Sequence, residues 1–166
     1  MKKIVLIGFA ACYKTTVGKL LSTMLDCAFV DTDEQLEKTC GMSVQQIFDT
    51  HGEPFFRDKE SQLLSTLTKD NTVVACGGGA VLSQAFDKFA QDSLVIELTA
   101  SAKTVHARLG GGRPLFDGLT VNELNDYMRK RAPLYAKYSQ ATLPTDGRTS
   151  RQVAEEICNW IQSNNK

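Results

Sequence analysis

Nine residues near the start of the chain have the types and spacing needed to hold a phosphate group. The segment from Gly8 to Thr16 reads GFAACYKTT and follows the pattern GxxxxGK[ST] at every fixed position except the second glycine. In such a loop, backbone N–H groups and the N-terminus of the next helix bind phosphate oxygens. We therefore expect Lys14 to reach the β- and γ-phosphates of a nucleotide and the Thr15 hydroxyl to ligate Mg²⁺.

Tyr13 stands where the loop pattern requires its second glycine. That glycine usually has a positive φ, at which a residue with a Cβ is strained by on the order of 1–3 kcal/mol. If the strain arises only when nucleotide binds, the affinity falls about tenfold to a hundredfold. The tyrosine ring could also fill space that the phosphates need. The sequence thus predicts a phosphate-binding loop whose nucleotide affinity is either ordinary or weakened.

Two aspartates and three glycines follow two further apolar runs. Asp31 and Asp33 are two residues apart, so an extended chain would point both carboxylates to one side. One could then hold Mg²⁺ through water while the other accepts a proton from a substrate hydroxyl; alternatively, Asp33 caps a helix that begins at Glu34. The glycines at 77–79 would let the backbone approach a ligand closely, or would only form a tight turn.

Three arginines occupy positions that are unusual for ordinary surface residues. Arg57 follows two phenylalanines at a predicted helix start, and Arg113 lies in a glycine-rich segment. Arg131 comes two residues before Pro133, where we expect a helix to end. Because a guanidinium group can bind carboxylate or phosphate through two parallel hydrogen bonds, the three suit an anionic substrate and a transferred phosphoryl group. Each of them taken singly is also compatible with an ordinary surface position.

Short apolar runs alternate with helical patterns along the whole chain. The runs predict five strands, at 4–7, 28–30, 72–76, 94–98 and 141–143. Helical spacing of apolar residues predicts helices at 17–25, 53–68 and 153–161. Strands that are apolar throughout are covered on both faces, which indicates a parallel sheet in a three-layer α/β fold. The loop, the aspartates and the glycines follow the first three strands, and ligands bind at that edge of parallel sheets.

No linker or internal repeat divides the chain, so we expect one domain over residues 1–166. One segment, at 109–119, reads LGGGRPLFDGL and contains four glycines and a proline. This composition excludes a regular helix or strand there. It is typical both of an ordinary surface loop and of a lid that closes over an active site.

Composition narrows the class of partner. The 166 residues include 19 Lys and Arg and 19 Asp and Glu, a formal net charge of zero, which argues against a general nucleic-acid binder or a polybasic membrane-surface protein. The five cysteines are scattered without a CxxC pair, which indicates reduced thiols in a cytoplasmic protein. No apolar run has the length of a signal peptide or a membrane span.

In their order and spacing, these motifs resemble those of the shikimate kinase family, small kinases related in fold to nucleoside monophosphate kinases. The resemblance covers nearly the whole chain and depends on the segments 8–16, 31–33, 52–57, 77–81, 113–115, 131–135 and 145–148. It implies a three-layer P-loop kinase fold with a five-stranded parallel sheet, flanking helices and a glycine-rich lid. It also implies ATP-dependent phosphorylation of the 3-hydroxyl of shikimate in aromatic amino-acid biosynthesis, by a cytoplasmic monomer that uses Mg²⁺ and has no nucleic-acid or membrane partner.

The resemblance also implies roles for residues on the substrate side. Asp33 is similar to the residue that contacts the substrate hydroxyls and serves as the base. Arg57 and Arg131 are similar to the pair that binds the shikimate carboxylate, and Gly78 and Gly79 to residues that line the same pocket through their backbone. These roles agree with what phosphoryl transfer requires, namely a positioned hydroxyl and positive charge near an anionic substrate.

Roles on the nucleotide side follow in the same way. Arg113 resembles the lid arginine that reaches the phosphates on closure, and Arg108 and Arg148 resemble residues that flank adenine. Asp31 would act through the water shell of Mg²⁺. The remaining nucleotide-binding residues are those of the loop, Ala11, Cys12, Tyr13, Lys14, Thr15 and Thr16, with Lys14 also counted as catalytic and Thr15 as a metal ligand.

The phosphate loop departs from the family pattern, because Ala11 and Tyr13 replace both of its inner glycines. Two other functions therefore stay open: a non-catalytic relative with impaired nucleotide binding, and a kinase for another small hydroxy acid. Cys12 has two interpretations as well. It is either an inert small residue or a reactive thiol whose pKa is lowered by the helix N-terminus.

Overall fold

A computed structural model describes residues 1–109 and 115–164. Within these ranges a five-stranded sheet lies at the centre of the fold, with strand order β2-β3-β1-β4-β5 and parallel pairing between all neighbours. The strands are β1 (Ile4–Ile7), β2 (Ala28–Asp31), β3 (Thr72–Ala75), β4 (Leu94–Thr99) and β5 (Ala141–Pro144). All five predicted strands are confirmed, with ends that differ by at most one residue.

Helices follow the strands and flank the sheet, which confirms the predicted α/β class. Those in the described ranges are α1 (Lys14–Met24), α2 (Thr32–Cys40), α3 (Val44–Thr66), α4 (Phe86–Ala90), α5 (Ala102–Arg108), α6 (Val121–Tyr138) and α7 (Ser150–Asn164), with a short 3₁₀ turn at Ala80–Leu82. None of the helices in this part of the chain is long and apolar enough to cross a membrane.

The core lies on both sides of the central strands. Every residue of β1 is at most 1% exposed, and Val73, Val74, Val95 and Ile96 of the neighbouring strands are fully buried. This explains why these runs are apolar without alternation, since a central strand of a covered parallel sheet has no solvent face. A smaller apolar cluster of Leu36, Ile47 and Phe56 joins α2 to α3. That cluster holds in place the helix that carries Arg57.

Helix α3 begins nine residues before the predicted start at Glu53. The Ser43 side chain caps it by accepting a hydrogen bond from the N–H of Gln46, and Gln46 bonds back to the Ser43 N–H, which forms a capping box. The backbone kinks at Gly52, where φ is 79° and ψ is 172°. A glycine adopts this conformation without a steric penalty, and Pro54 then starts the second part of the helix as a favourable first-turn residue.

The prediction that a helix ends at Arg131 is wrong, because α6 continues through Pro133 to Tyr138. Proline in a helix removes one backbone hydrogen bond and crowds the preceding turn. Burial of Leu124 and Tyr135 on the core-facing side of α6 offsets this loss. As a result, Arg131 lies within α6 rather than at its end.

Candidate active site

The phosphate loop connects β1 to α1, and Lys14 is the first residue of that helix. The buried Lys14 ammonium folds back over the loop and donates hydrogen bonds to the carbonyls of Gly8, at 2.8 Å, and Phe9, at 2.6 Å. These bonds fix the lysine beside the N–H groups of the loop. Phosphate oxygens placed there would meet both the positive end of the α1 dipole and the ammonium charge.

Ala11 and Tyr13 both take up the left-handed conformation, with φ values of 58° and 65°. The backbone of the loop thus keeps the shape that its pattern reserves for glycine, although both residues carry a Cβ. Tyr13 is the N-cap residue of α1 and its side chain makes no capping hydrogen bond. The positive φ expected at position 13 is therefore confirmed.

Arg108, at the end of α5, lies against the same loop. Its guanidinium carbon is 3.7 Å from the centre of the Tyr13 ring, and its Nη1 donates to the Ala11 carbonyl at 3.2 Å. The same group also bonds to the side chain and carbonyl of Thr145, at 2.8 and 2.9 Å. Arg108 therefore ties the phosphate loop to the segment that follows β5.

The two aspartates differ from the sequence expectation. The chain leaves the extended conformation at Thr32, where α2 begins, so the alternation argument does not apply. Asp31, rather than Asp33, caps the helix: its Oδ1 accepts from the N–H groups of Asp33 and Glu34, at 3.0 and 3.1 Å. Asp33 lies in the first turn of α2, with its carboxylate directly over Gly77.

The second oxygen of Asp31 faces the phosphate loop. Its Oδ2 accepts a hydrogen bond from the Thr15 hydroxyl at 2.5 Å. The Thr15 hydroxyl and the Asp31 carboxylate are oxygen ligands of the kind that Mg²⁺ prefers, and they lie beside the phosphate site. Waters and phosphate oxygens would complete the coordination of the ion. Within the described residues no three His, Cys, Asp or Glu side chains come together as a metal cage. The residues present therefore fit Mg²⁺ held mainly through water and nucleotide.

A second cleft, here called the arginine-lined cleft, lies next to the groove over the phosphate loop, the phosphate groove. Its walls come from α2, α3, α6 and the loop after β3, and Leu115 and Phe116 of the predicted lid also line it. The cleft is lined by Ala10, Asp33, Val44, Phe48, Phe56, Arg57, Glu60, Gly77, Gly78, Gly79, Leu115, Phe116 and Arg131. Apolar and aromatic walls with two arginines and two carboxylates suit a small anion that carries hydroxyl groups.

The loop after β3 is held from two sides. The Gly78 carbonyl accepts hydrogen bonds from Arg131 Nη1, at 2.9 Å, and from the Tyr135 hydroxyl, at 2.6 Å. A Cβ built on Gly79 would collide with the Arg57 guanidinium. A residue with a Cβ at position 79 would therefore displace the Arg57 side chain.

Glu60 is a site residue that the sequence reasoning missed. Its side chain is fully buried; Oε2 accepts from Arg57 Nη1 at 2.8 Å, and Oε1 has no hydrogen-bond partner among the described residues. Burial raises the pKa of Glu60 to about 7, although the Arg57 charge acts in the opposite direction. Its spacing of three residues from Arg57 on one helix was the available signal, because such residues are neighbours on a helix surface.

The structure brings most of the predicted site residues together at the carboxyl ends of β1, β2 and β3. The phosphate groove is lined by Ala11, Cys12, Tyr13, Lys14, Thr15, Thr16, Asp31, Asp33, Cys76, Gly77, Gly78 and Arg108. Arg148 lines neither cleft, and its guanidinium bonds instead to the Pro144 carbonyl and to Glu156. Arg113 lies outside the described residues.

The two interpretations of Cys12 can be separated by its surroundings. The residue is 1% exposed, and burial raises the pKa of its thiol even though Lys14 and Arg108 act in the opposite direction. A buried thiol that stays protonated is a weak nucleophile. The structure therefore favours the inert small residue.

The sequence model of the family described as shikimate kinase matches residues 10–162. The chain belongs to the shikimate kinase family. Its relatives include a shikimate kinase from Thermodesulfovibrio yellowstonii, 40% identical over 162 residues that cover 95% of this chain and 93% of the relative. Another, from Moorella thermoacetica, is 37% identical over 168 residues, covering 96% of each.

Solved structures agree with this membership of the shikimate kinase family. The chain is similar to the shikimate kinase from Acinetobacter baumannii in complex with shikimate, with a TM-score of 0.92, 30% identity and coverage of 99% of this chain and 94% of that one. The family resemblance and the P-loop kinase fold expected from the sequence are both confirmed.

Proposed function

We propose that the protein transfers the γ-phosphoryl group of ATP to the 3-hydroxyl of shikimate and releases shikimate 3-phosphate and ADP. The observation that carries this proposal is that the two clefts share a wall. Asp33, Gly77 and Gly78 line both the phosphate groove and the arginine-lined cleft. A hydroxyl in one cleft would therefore lie next to a phosphate in the other, and such positioning is the main contribution of a kinase to catalysis.

The arginine-lined cleft has the charges needed for shikimate. Arg57 and Arg131 lie on α3 and α6, so their guanidinium groups reach the cleft from different helices. Together they would bind the carboxylate, while the aromatic walls contact the ring. Asp33 would accept hydrogen bonds from the hydroxyl groups. A neutral sugar would leave the nearly buried Arg131 guanidinium without an anionic ligand, which disfavours it as a substrate.

The bonds and charges of the reaction balance within this arrangement. The 3-hydroxyl oxygen forms a bond to the γ-phosphorus, the bond from that phosphorus to the bridging oxygen of ADP breaks, and the hydroxyl proton passes to the Asp33 carboxylate. Lys14 would stabilise the negative charge on the phosphate oxygens. Mg²⁺, held near Thr15 and Asp31, would neutralise charge on the β- and γ-phosphates.

We also propose that the protein is a cytoplasmic monomer whose substrates are small molecules. Both clefts are formed within one chain, so a second copy is not needed to complete either of them. The five cysteines, all in the described part of the chain, are free thiols, which suits a reducing compartment. Light scattering after size-exclusion chromatography would measure the mass, and a dimer would contradict this part of the proposal.

An assay that couples ADP release to NADH oxidation tests the reaction, with millimolar ATP and with or without shikimate. We expect ADP release that depends on shikimate, and loss of about 10²- to 10⁴-fold in kcat for Asp33→Asn, which removes the base but keeps the shape. The shikimate dissociation constant of each protein should be measured in parallel. Shikimate binding without turnover in the unmodified protein would contradict the proposal and favour a non-catalytic relative.

A further inference from the structure

The phosphate groove contains two planar groups, and they lie against each other. Among the described residues that line the groove, Tyr13 supplies the aromatic ring and Arg108 the guanidinium. The guanidinium carbon lies 3.7 Å from the ring centre, well inside the range of a cation–π contact. One face of Arg108 is therefore covered by a side chain of the phosphate loop itself.

The two partners are held to different degrees. Arg108 is fixed by three hydrogen bonds, one to the Ala11 carbonyl and two to Thr145. Within the described residues the Tyr13 hydroxyl makes no hydrogen bond, and the side chain is half-buried. Rotation about the Tyr13 side-chain bonds would thus uncover Arg108, whereas movement of Arg108 would break three bonds. The Tyr13 ring is therefore the part of the contact that can move aside.

A nucleoside triphosphate whose phosphates lie on the loop must place its base further along this groove. A base binds proteins by stacking on an aromatic ring or a guanidinium plane. We infer that Tyr13 competes with the nucleotide base for the face of Arg108 and so sets the nucleotide affinity of the enzyme. This inference rests on the proposed function, because it takes a nucleotide as the phosphoryl donor.

Three substitutions of Tyr13 distinguish the effect of its ring from the effect of its backbone conformation. Tyr13→Phe keeps the ring and loses the hydroxyl, Tyr13→Ala loses the ring but keeps a Cβ at the φ of 65°, and Tyr13→Gly removes both. Two ligands separate base from phosphate: ADP has both, and inorganic tripolyphosphate has phosphates alone. Titration calorimetry would give each dissociation constant, and thermal unfolding would verify that each variant is folded.

Competition between the Tyr13 ring and the base predicts that loss of the ring tightens the binding of ADP but not of tripolyphosphate. Tyr13→Ala should tighten ADP binding by about threefold to thirtyfold, which is the range expected for removing a cation–π competitor. The same variant should leave the tripolyphosphate constant within about twofold, since no base contact is involved. Tyr13→Phe should bind both ligands like the unmodified protein. Tyr13→Gly should match Tyr13→Ala in both constants, because the folded loop already holds residue 13 at a φ of 65° and relief of that strain stabilises the fold rather than the complex.

Each other outcome would overturn the inference in a recognisable way. Weaker ADP binding by Tyr13→Ala would mean that the ring supports the base instead of competing with it. Equal tightening of ADP and tripolyphosphate in Tyr13→Ala would mean that the ring obstructs phosphate. Unchanged dissociation constants for both ligands would mean that the ring neither contacts the base nor obstructs phosphate. If neither the unmodified protein nor any variant binds either ligand, the proposed nucleotide use fails along with the inference. If both ligands bind but Tyr13→Ala does not tighten ADP binding, only the inference fails.

Discussion

Replacement of Glu60 by glutamine tests whether the interior of the arginine-lined cleft carries a proton at acidic pH. The carboxyl is fully buried, and it faces Arg57 through Oε2 while Oε1 has no partner among the described residues. Burial raises its pKa from an ordinary 4.5 to about 7; Arg57 and Arg131 act against this shift, and Asp33 adds to it. Glutamine has nearly the same shape but cannot ionise, so Glu60→Gln removes the titration with little change in packing.

The sign of the effect follows from proton linkage. Between about pH 4.5 and 7 the folded protein keeps a proton on Glu60 that the unfolded chain has released. The stabilising contribution is therefore complete below 4.5 and is lost as the pH rises through 7. The difference between the two pKa values corresponds to about 3 kcal/mol in the free energy of unfolding.

Urea unfolding of both proteins at pH 4.5 and pH 8 measures this contribution, because titrations common to both cancel in the difference. We expect Glu60→Gln to gain about 3 kcal/mol relative to the unmodified protein between the two pH values. Glu53→Gln is the matched control, since Glu53 contacts the same guanidinium at 3.3 Å with a side chain that is 44% exposed. Removal of an exposed ion pair should change stability by about 1 kcal/mol or less.

Parallel curves for the unmodified protein and Glu60→Gln at all pH values would refute the reasoning. That result would mean that Glu60 has the same pKa in the folded and unfolded chain, and hence that water or a neighbouring donor reaches Oε1. A slope of similar size in Glu53→Gln would point to Arg57, rather than to the buried carboxyl, as its source.

Two further substitutions test the carboxylate-binding side of the cleft. Gly79→Ala should raise the KM for shikimate by about tenfold and leave the KM for ATP within about twofold, because its Cβ displaces the Arg57 guanidinium. Initial rates would measure both constants, and equal changes in the two would contradict this prediction. Arg131→Ala should raise the shikimate dissociation constant by at least about tenfold, since it removes a nearly buried cation that also holds the Gly78 carbonyl. Loss of nucleotide binding with intact shikimate binding, measured by calorimetry, would contradict the assigned role.

The sheet could be predicted from the sequence because its strands leave a strong signal. The run from Ile4 to Ile7 is apolar without alternation, and this happens only where both faces of a strand are covered. Helix boundaries were harder to predict. The first part of α3 depends on a capping box at Ser43, and α6 continues through Pro133 because buried side chains on that helix outweigh a lost hydrogen bond. Tertiary packing of this kind has no short-range pattern.

The site could be predicted in part, for a related reason. Candidate residues such as Lys14 and Thr15 occupy fixed positions in one loop, so their spacing along the chain identifies them. The surroundings of Glu60 and Arg108 come from the fold: the Glu60 side chain is fully buried beside a cleft, and Arg108 reaches a loop 97 residues away in sequence. Burial and long-range contact are therefore the properties that the sequence pattern did not contain.

The altered phosphate loop shows that a motif can keep its conformation while it loses its residue types. Ala11 and Tyr13 hold the φ values of glycines, so the N–H groups of the loop remain where phosphate oxygens require them. In place of a glycine the loop carries an aromatic side chain, and the Tyr13 ring packs on Arg108 at the side of the phosphate groove. The proposed effect of Tyr13 on nucleotide binding therefore lies in what its ring covers, because the backbone strain is already present in the folded loop. A pattern search that rejects the loop for its missing glycine, and a backbone comparison that accepts it without remark, would both overlook this contact.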